Sequence, residues 1–415
     1  MQLFPPPLSP LLPRLTAFKE GEEYSFAVKA LMIMMPVMLF YGLNYIFQGI
    51  LQSRGKYGFP AFVSVPSSLV VIFYVFALGD KYGIAGLLIA TFFGLSLQAL
   101  ILIPPAIAAG FRYKPSFELK DPDVISAGKM TLPVLFGVAA YQLNMFFNTT
   151  MIARFDGMVT LLNYVQNIVI YMVLAFIYSV TAVVYPKLTA SFTRGDMEEY
   201  KTTLAGVLES TAALLVPITF GFITVRRPLL ELIANYGKIT PTDIDRACTL
   251  IVMYSIGILG VGLKEILDRA FYAAKNTMLP AVNGFIIMAV NVTLSLILTR
   301  FIGAYGIPLA YSTASLAGLC VLLLFLRRKI GVFAKGLGTT LVKCLIAALV
   351  MACAVLAVNA GLDAAFVSDS VPARLVKLAV PACAGVLVYG IMVLVLRVNA
   401  IKPVLAKLKS LASRA

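Results

Sequence analysis

The chain contains no histidine. That removes the commonest biological metal ligand and the one side chain that ordinarily titrates near neutral pH. Its five cysteines, Cys248, Cys320, Cys344, Cys353 and Cys383, all lie inside apolar runs, and none stands at a metal-ligand spacing, so they read as small core residues. Charge is sparse as well. Asp, Glu, Lys and Arg make up 13% of the residues, about half the share in a soluble domain. There is no GxxxxGK(S/T) loop, no HExxH helix and no nucleophile–base motif. These absences argue against an enzyme, a metal site, a bound cofactor and transport fuelled by ATP held on this chain.

What the sequence does have is apolar length. Hydrophobic residues are 60% of its 415 positions, leaving too little polar surface to cover a water-soluble globule. Eleven apolar stretches are long enough to cross about 30 Å of hydrocarbon as helices. They lie near 30–51, 59–79, 83–108, 126–152, 158–184, 204–225, 246–272, 278–300, 304–326, 339–360 and 375–396. The runs are too long, and alternate too little, for the strands of an outer-membrane barrel. The expected fold class is all-α: a polytopic membrane helix bundle of about eleven transmembrane helices.

The net charge of +15 does not point to nucleic acid, because the basic residues sit in short loops with no aromatic interleaving. Lys and Arg collect in cytoplasmic loops. With the C-terminus inside, 20 of the 34 basic residues fall in inner loops and 12 in outer ones, so that orientation is expected. Eleven spans then place the N-terminus outside, which suggests an odd number of helices upstream. The opening MQLFPPPLSPLLPRL, with five prolines and no long apolar core, fits neither a signal peptide nor a span.

The chain also repeats itself. FYGLNYIFQGILQSRGKYGFPAF (40–62) aligns without gaps on GVGLKEILDRAFYAAKNTMLPAV (260–282), an offset of 220, and YGI at 82–84 matches YGI at 305–307, an offset of 223. Internal repeats are a common building plan for transporters, with the substrate site between the halves. Against this background YPKLTASFTRGDMEEYKTTL (185–204) stands out. It reads as a cytoplasmic link. One span ends at Tyr185-Pro186, a turn forms at Thr193-Arg194-Gly195-Asp196, and Asp196 caps a new helix with Glu198 and Glu199 in its first turn.

Polar residues inside the spans are the candidate functional groups, since such groups face a bundle interior or a wet cavity. Spans 126–152 and 158–184 carry Gln142, Asn144, Asn148, Asn163, Gln166 and Asn167. Asn144 and Asn148 are one turn apart and share a face, as do Asn163 and Asn167. Such faces either line a chamber or hydrogen-bond helix to helix. Lys264, Glu265, Asp268 and Arg269 form two i,i+4 pairs, Lys264–Asp268 and Glu265–Arg269; they are a gate or ion-coupling site, or they neutralise each other near the cytoplasmic end. Pro36, Pro133 and Pro217 lie inside spans and kink them. Arg54 and Lys56 in the first inner loop meet a phosphate or set topology.

LLNYVQNIVIYMVLAFIYSVTAVVYPKLTASFTRGDMEEYKTTL (161–204) resembles the eighth span and following loop of the MurJ (MviN) lipid II flippases, of the multidrug/oligosaccharidyl-lipid/polysaccharide exporter superfamily. GKMTLPVLFGVAAYQLNMFFNTTMIA (128–153) resembles their seventh span, LLELIANYGKITPTDIDRA (229–247) the loop after the ninth, and GLKEILDRAFYAAKNTMLPAVNG (262–284) the tenth-to-eleventh junction. Residues 21–62 resemble the approach to the fourth span and the loop after it. The resemblance implies helices four to fourteen of a fourteen-helix fold: a truncated N-terminal lobe of three helices at 1–120, a six-helix lobe at 121–330, and two additional helices with a basic cytoplasmic tail at 331–415.

It also implies a function. A bacterial cytoplasmic-membrane protein, monomeric or within a cell-wall synthesis complex, carries a lipid-linked sugar pyrophosphate outward while two lobes rock about a central cavity. The partners are that substrate and membrane lipids, with no nucleic acid. Cationic cavity residues suit the phosphates, guanidinium best. This sequence departs from the pattern. Tyr164-Val165-Gln166-Asn167 stand where the family usually has Tyr-Ala-Asn/Asp-Arg, and Asn148-Thr149 stand where bacterial relatives often have Asp-Arg. An amide donates to a phosphate oxygen but does not neutralise it. The expected cavity residues are Asn144, Asn148, Asn163, Gln166 and Asn167. The alternatives are an exporter of another lipid-linked oligosaccharide of O-antigen or capsule type, a cation-coupled drug exporter, and a truncated homologue that does not transport.

Overall fold

The computed structural model describes residues 22–56, 58–112, 121–234, 240–329, 331, 335–365 and 371–398. The proline-rich opening, the basic tail beyond Val398, and Lys114, Lys120 and Lys238 lie outside the described residues. Among the described residues all regular structure is helical. Among these residues, nine stretches are long and apolar enough to cross a membrane, or ten when the bent pair Pro241–Ser255 and Ile258–Ala273 counts as one span. The longest, Met278–Arg328, has 51 residues and consists of two helices meeting near Gly303, whose φ is +59°. Every expected span overlaps a helix. Large apolar side chains point outward along them, such as Phe76 at 87% and Phe301 at 80% exposure. Lipid tolerates such a surface where water does not.

The chain divides into two compact units at Glu118/Leu119. The first contains α1 (Glu22–Met34), α2 (Val37–Ser53), the short α3 (Gly58–Phe62), α4 (Ser64–Ala77) and α5 (Gly79–Ala108). Pro36 sits at the break between α1 and α2, where its missing N–H ends the α1 ladder. A chain of amides and a hydroxyl ties three helices together. Gln48 donates to Asn44 Oδ1 at 2.9 Å, Asn44 to Gln98 Oε1 at 3.1 Å, and Gln98 to Ser67 Oγ at 2.7 Å. Arg54 donates to the Ala109 carbonyl at 3.1 Å, closing the C-terminal end of α5.

The second unit contains α6 (Pro122–Ile152), α7 (Met158–Gln166), a π turn (Asn167–Tyr171), α8 (Met172–Thr193), α9 (Met197–Ala234), α10 (Pro241–Ser255), α11 (Ile258–Ala273), α12 (Met278–Ile302), α13 (Gly306–Lys329), α14 (Lys335–Ala365) and α15 (Val371–Val395). Its large apolar core includes Tyr200, Phe271, Ile177 and Leu215, all nearly inaccessible. Tyr200 donates its hydroxyl to the Ala270 carbonyl at 2.8 Å, and Tyr389 donates to the Ala213 carbonyl at 2.6 Å. These bonds pin α11 and α15 to α9.

The span expected to stop at Tyr185-Pro186 does not. α8 runs through Pro186 to Thr193, because a proline inside a lipid-embedded helix forfeits one ladder bond without ending it. The turn that follows forms as expected. Gly195 adopts φ +76°, Asp196 N–H reaches Ser191 O at 3.0 Å, and Asp196 Oδ1 accepts from the Glu199 N–H at 2.9 Å. Arg194 and Glu199 pair across it at 2.5 Å.

The internal repeat is visible in the backbone. Gly55 has φ +72° and Lys275 φ +56°. The N–H groups of Gly55 and Lys56 return to Gln52 O at 3.0 Å and Leu51 O at 2.9 Å, while those of Lys275 and Asn276 return to Tyr272 O and Phe271 O, both at 2.9 Å. This is the same Schellman closure at an offset of 220. Gly83 (φ 53°, ψ −146°) and Gly303 (φ 59°, ψ −140°) recur at that offset too. The YGI match at offset 223 is therefore three residues out of register.

Candidate functional site

α10 and α11 meet at a bend of 43°. A bend frees backbone carbonyls that lipid will not satisfy, and Ser312 Oγ supplies a donor to Met253 O at 2.6 Å. The contact is close enough to require glycine: a Cβ on Gly257 would stand 2.6 Å from Ser312 Cα, and one on Gly260 would stand 2.7 Å from Leu316 N. α11 thus lies backbone to backbone on α13. Its next turns carry Lys264, Glu265, Asp268 and Arg269 into a cavity of about 750 Å³ within the second unit.

α6 forms the facing wall. Gly137 lets it approach α12, where a Cβ would come within 3.3 Å of Ala281 Cα. Asn291 then bridges the two helices, donating from one nitrogen to Asn144 Oδ1 at 2.6 Å and Asn148 Oδ1 at 2.8 Å. All three amides are buried. Asn144 also borders the cavity, whereas Asn148 lies behind it. On the third wall, Asn163 and Gln166 line the space and Asn167 does not. Asn167 opens the π turn, which carries one more residue per turn than an α-helix. The lining therefore steps from Gln166 to Tyr171 and then to Leu174, Ala175 and Tyr178.

Both ion pairs expected on α11 form, and all four partners line the cavity. Lys264 Nζ lies 2.5 Å from Asp268 Oδ2, and Arg269 Nη2 lies 3.2 Å from Glu265 Oε1. The Arg269 guanidinium also sits 6.0 Å from the Tyr272 ring centre. Sequence reasoning missed the tyrosines. Tyr141, Tyr171, Tyr178, Tyr272 and Tyr311 all face this space. The seven-residue spacing of Tyr171 and Tyr178, which keeps two side chains on one helix face, was the signal available. Among the described residues no group of His, Cys, Asp and Glu is arranged to hold a metal ion.

The family model described as “Lipid II flippase MurJ” matches residues 1–377. The chain belongs to the lipid II flippase MurJ family. Among curated MurJ relatives, the probable lipid II flippase of Vibrio cholerae is 26% identical over 304 residues, covering 72% of this chain and 58% of the relative. The lipid II flippase of Burkholderia cenocepacia is 25% identical over 321 residues, covering 75% of this chain and 61% of the relative. The chain thus spans about three fifths of the length of the MurJ proteins it matches. Among solved structures, lipid II flippase MurJ in an inward closed conformation superposes with a TM-score of 0.74 at 23% identity, covering 95% of this chain and 80% of that one. An inward-facing multidrug resistance MATE transporter of the MOP superfamily gives 0.61 at 15% identity, covering 75% and 73%. The fold is the MurJ and MATE fold, and the chain is a multi-pass membrane protein of the MurJ family.

Proposed function

We propose that this chain takes part in carrying a lipid-linked peptidoglycan precursor across the bacterial cytoplasmic membrane by alternating access, with its C-terminus in the cytoplasm. The observation that carries this reading is a cavity of about 750 Å³, walled by membrane helices and bearing amide, hydroxyl and charged side chains, in a chain matched by the lipid II flippase MurJ model. A sugar pyrophosphate crossing hydrocarbon must exchange water for protein hydrogen bonds. Gln142, Thr149, Asn163 and Gln166 offer such bonds along the wall. Lys264, Glu265, Asp268 and Arg269, closed on one another as two ion pairs, act as a gate or ion-coupling site on the cavity wall.

The test is flipping of fluorescent lipid II in vesicles. It uses the chain as it stands and the chain extended at its N-terminus by the first three helices of a MurJ relative. Lipid II movement in either form supports the reading. Movement of an O-antigen-type lipid-linked sugar with none of lipid II would replace it by the alternative exporter. Failure of both forms with both lipids would leave a homologue that does not transport.

A further inference from the structure

The charges on the cavity wall cancel. Lys264 is closed on Asp268 and Arg269 on Glu265, and every other described lining residue is uncharged. A pyrophosphate entering here meets two cations already engaged by carboxylates, and two carboxylates that repel it. Freeing either cation would strand a carboxylate in a poorly solvated site, a cost that offsets the attraction gained. The geometry disfavours an anion.

What the wall leaves open is neutral. Tyr141, Tyr171 and Tyr178 are 39%, 45% and 47% exposed, and they face a space also bordered by Gln142, Asn163 and Thr149. A phenol ring gives a flat apolar face with a hydroxyl at its edge. An amide gives two donors and an acceptor. Together they match one chemical class: a polyhydroxylated ring, whose C–H face lies on an aromatic while its hydroxyls exchange hydrogen bonds with amides. The volume of about 750 Å³ falls within the roughly 300–1,000 Å³ of small-molecule sites.

We infer that this cavity is a saccharide subsite, which takes the uncharged sugar of the cargo and leaves its phosphates outside. The inference rests on the proposed transport of a lipid-linked sugar pyrophosphate, and it names the part of that molecule this unit recognises. Tyr171 and Tyr178 supply the stacking faces. Across the π turn, Gln166, and not Asn167, shares their face.

The experiment titrates the purified chain in lipid nanodiscs with N,N′-diacetylchitobiose and, separately, with inorganic pyrophosphate. Tyrosine fluorescence is the readout, read against discs without the chain; the chain itself has 19 tyrosines and no tryptophan. The disaccharide is expected to bind, Tyr178→Ala and Tyr171→Ala to weaken it about tenfold or more, and Tyr178→Phe to weaken it less than threefold. Retained binding by the Phe variant shows that the fold survives and that the ring face is what counts. Pyrophosphate is expected neither to displace the disaccharide nor to bind in a way sensitive to Lys264→Gln. Displacement by pyrophosphate, absence of disaccharide binding, or equal binding by Tyr178→Ala would overturn the subsite. The two proposals fail separately. Disaccharide binding without flipping leaves the subsite standing, whereas equal flipping of a sugar-free polyprenyl pyrophosphate removes the subsite and leaves transport.

Discussion

Lys275 occupies the left-handed, helix-closing position that Gly55 occupies in the other repeat, with φ values of +56° and +72°. Glycine adopts that conformation without strain; a residue with a Cβ pays about 1 kcal/mol or more. Lys275→Gly is therefore expected to raise stability by about 1 kcal/mol in thermal melts in detergent, and Gly55→Ala to lower it by about as much. A Lys275→Gly chain that melts lower would mean that the lysine side chain makes a compensating contact.

Asn291 holds two buried acceptors at once. Asn291→Leu leaves the oxygens of Asn144 and Asn148 unpaired in the α6–α12 contact, at a cost of about 1–3 kcal/mol. A double-mutant cycle between Asn291 and Asn144 should return a coupling of about 0.6 kcal/mol and no more than about 1.7 kcal/mol, the mean and the maximum measured for hydrogen bonds between membrane helices. Zero coupling would make the bridge incidental to helix packing.

The pair Lys264–Asp268 is more sheltered than Arg269–Glu265: the Asp268 side chain is 9% exposed and that of Arg269 41%. Breaking the sheltered pair with Lys264→Met leaves a carboxylate uncompensated and should cost about 3 kcal/mol, while Lys264→Met combined with Asp268→Leu should recover most of the loss. Arg269→Met should cost less than Lys264→Met. Equal losses for all three variants would mean that the pairs do not govern stability.

Cysteine scanning tests the π turn. With the five native cysteines replaced by alanine, a membrane-impermeant maleimide should modify Asn163→Cys and Tyr171→Cys at least several-fold faster than Asn167→Cys. Faster labelling at position 167 would mean that the helix is regular there and that the cavity is lined differently.

That last case shows where sequence reading succeeds and where it stops. The spans, the cap at Asp196 and the two α11 ion pairs are local: each depends on residues a few positions apart, and fixed helical spacing carries the prediction. Asn163 and Asn167 were paired by the same rule, but a wide turn begins at Asn167 and adds a residue that no regular period anticipates. Asn148 was legible as a polar residue in lipid. Its partner Asn291 lies 143 residues away, and nothing nearby in sequence announces it. Pro186 misled in the other direction, because a breaker in water is only a dent in a helix surrounded by acyl chains.

The two closed pairs on α11 also settle how this segment responds to voltage. A resting potential of 100 mV does about 2.3 kcal/mol of work on each elementary charge carried across it. Between Lys264 and Arg269 the opposite charges sum to nothing, so the electric field finds no lever there. In the transport proposed above, any drive from a membrane potential would act on the phosphates of the passenger or on charge carried elsewhere in the protein. Collapsing that potential would slow a pyrophosphate-bearing lipid far more than an uncharged one.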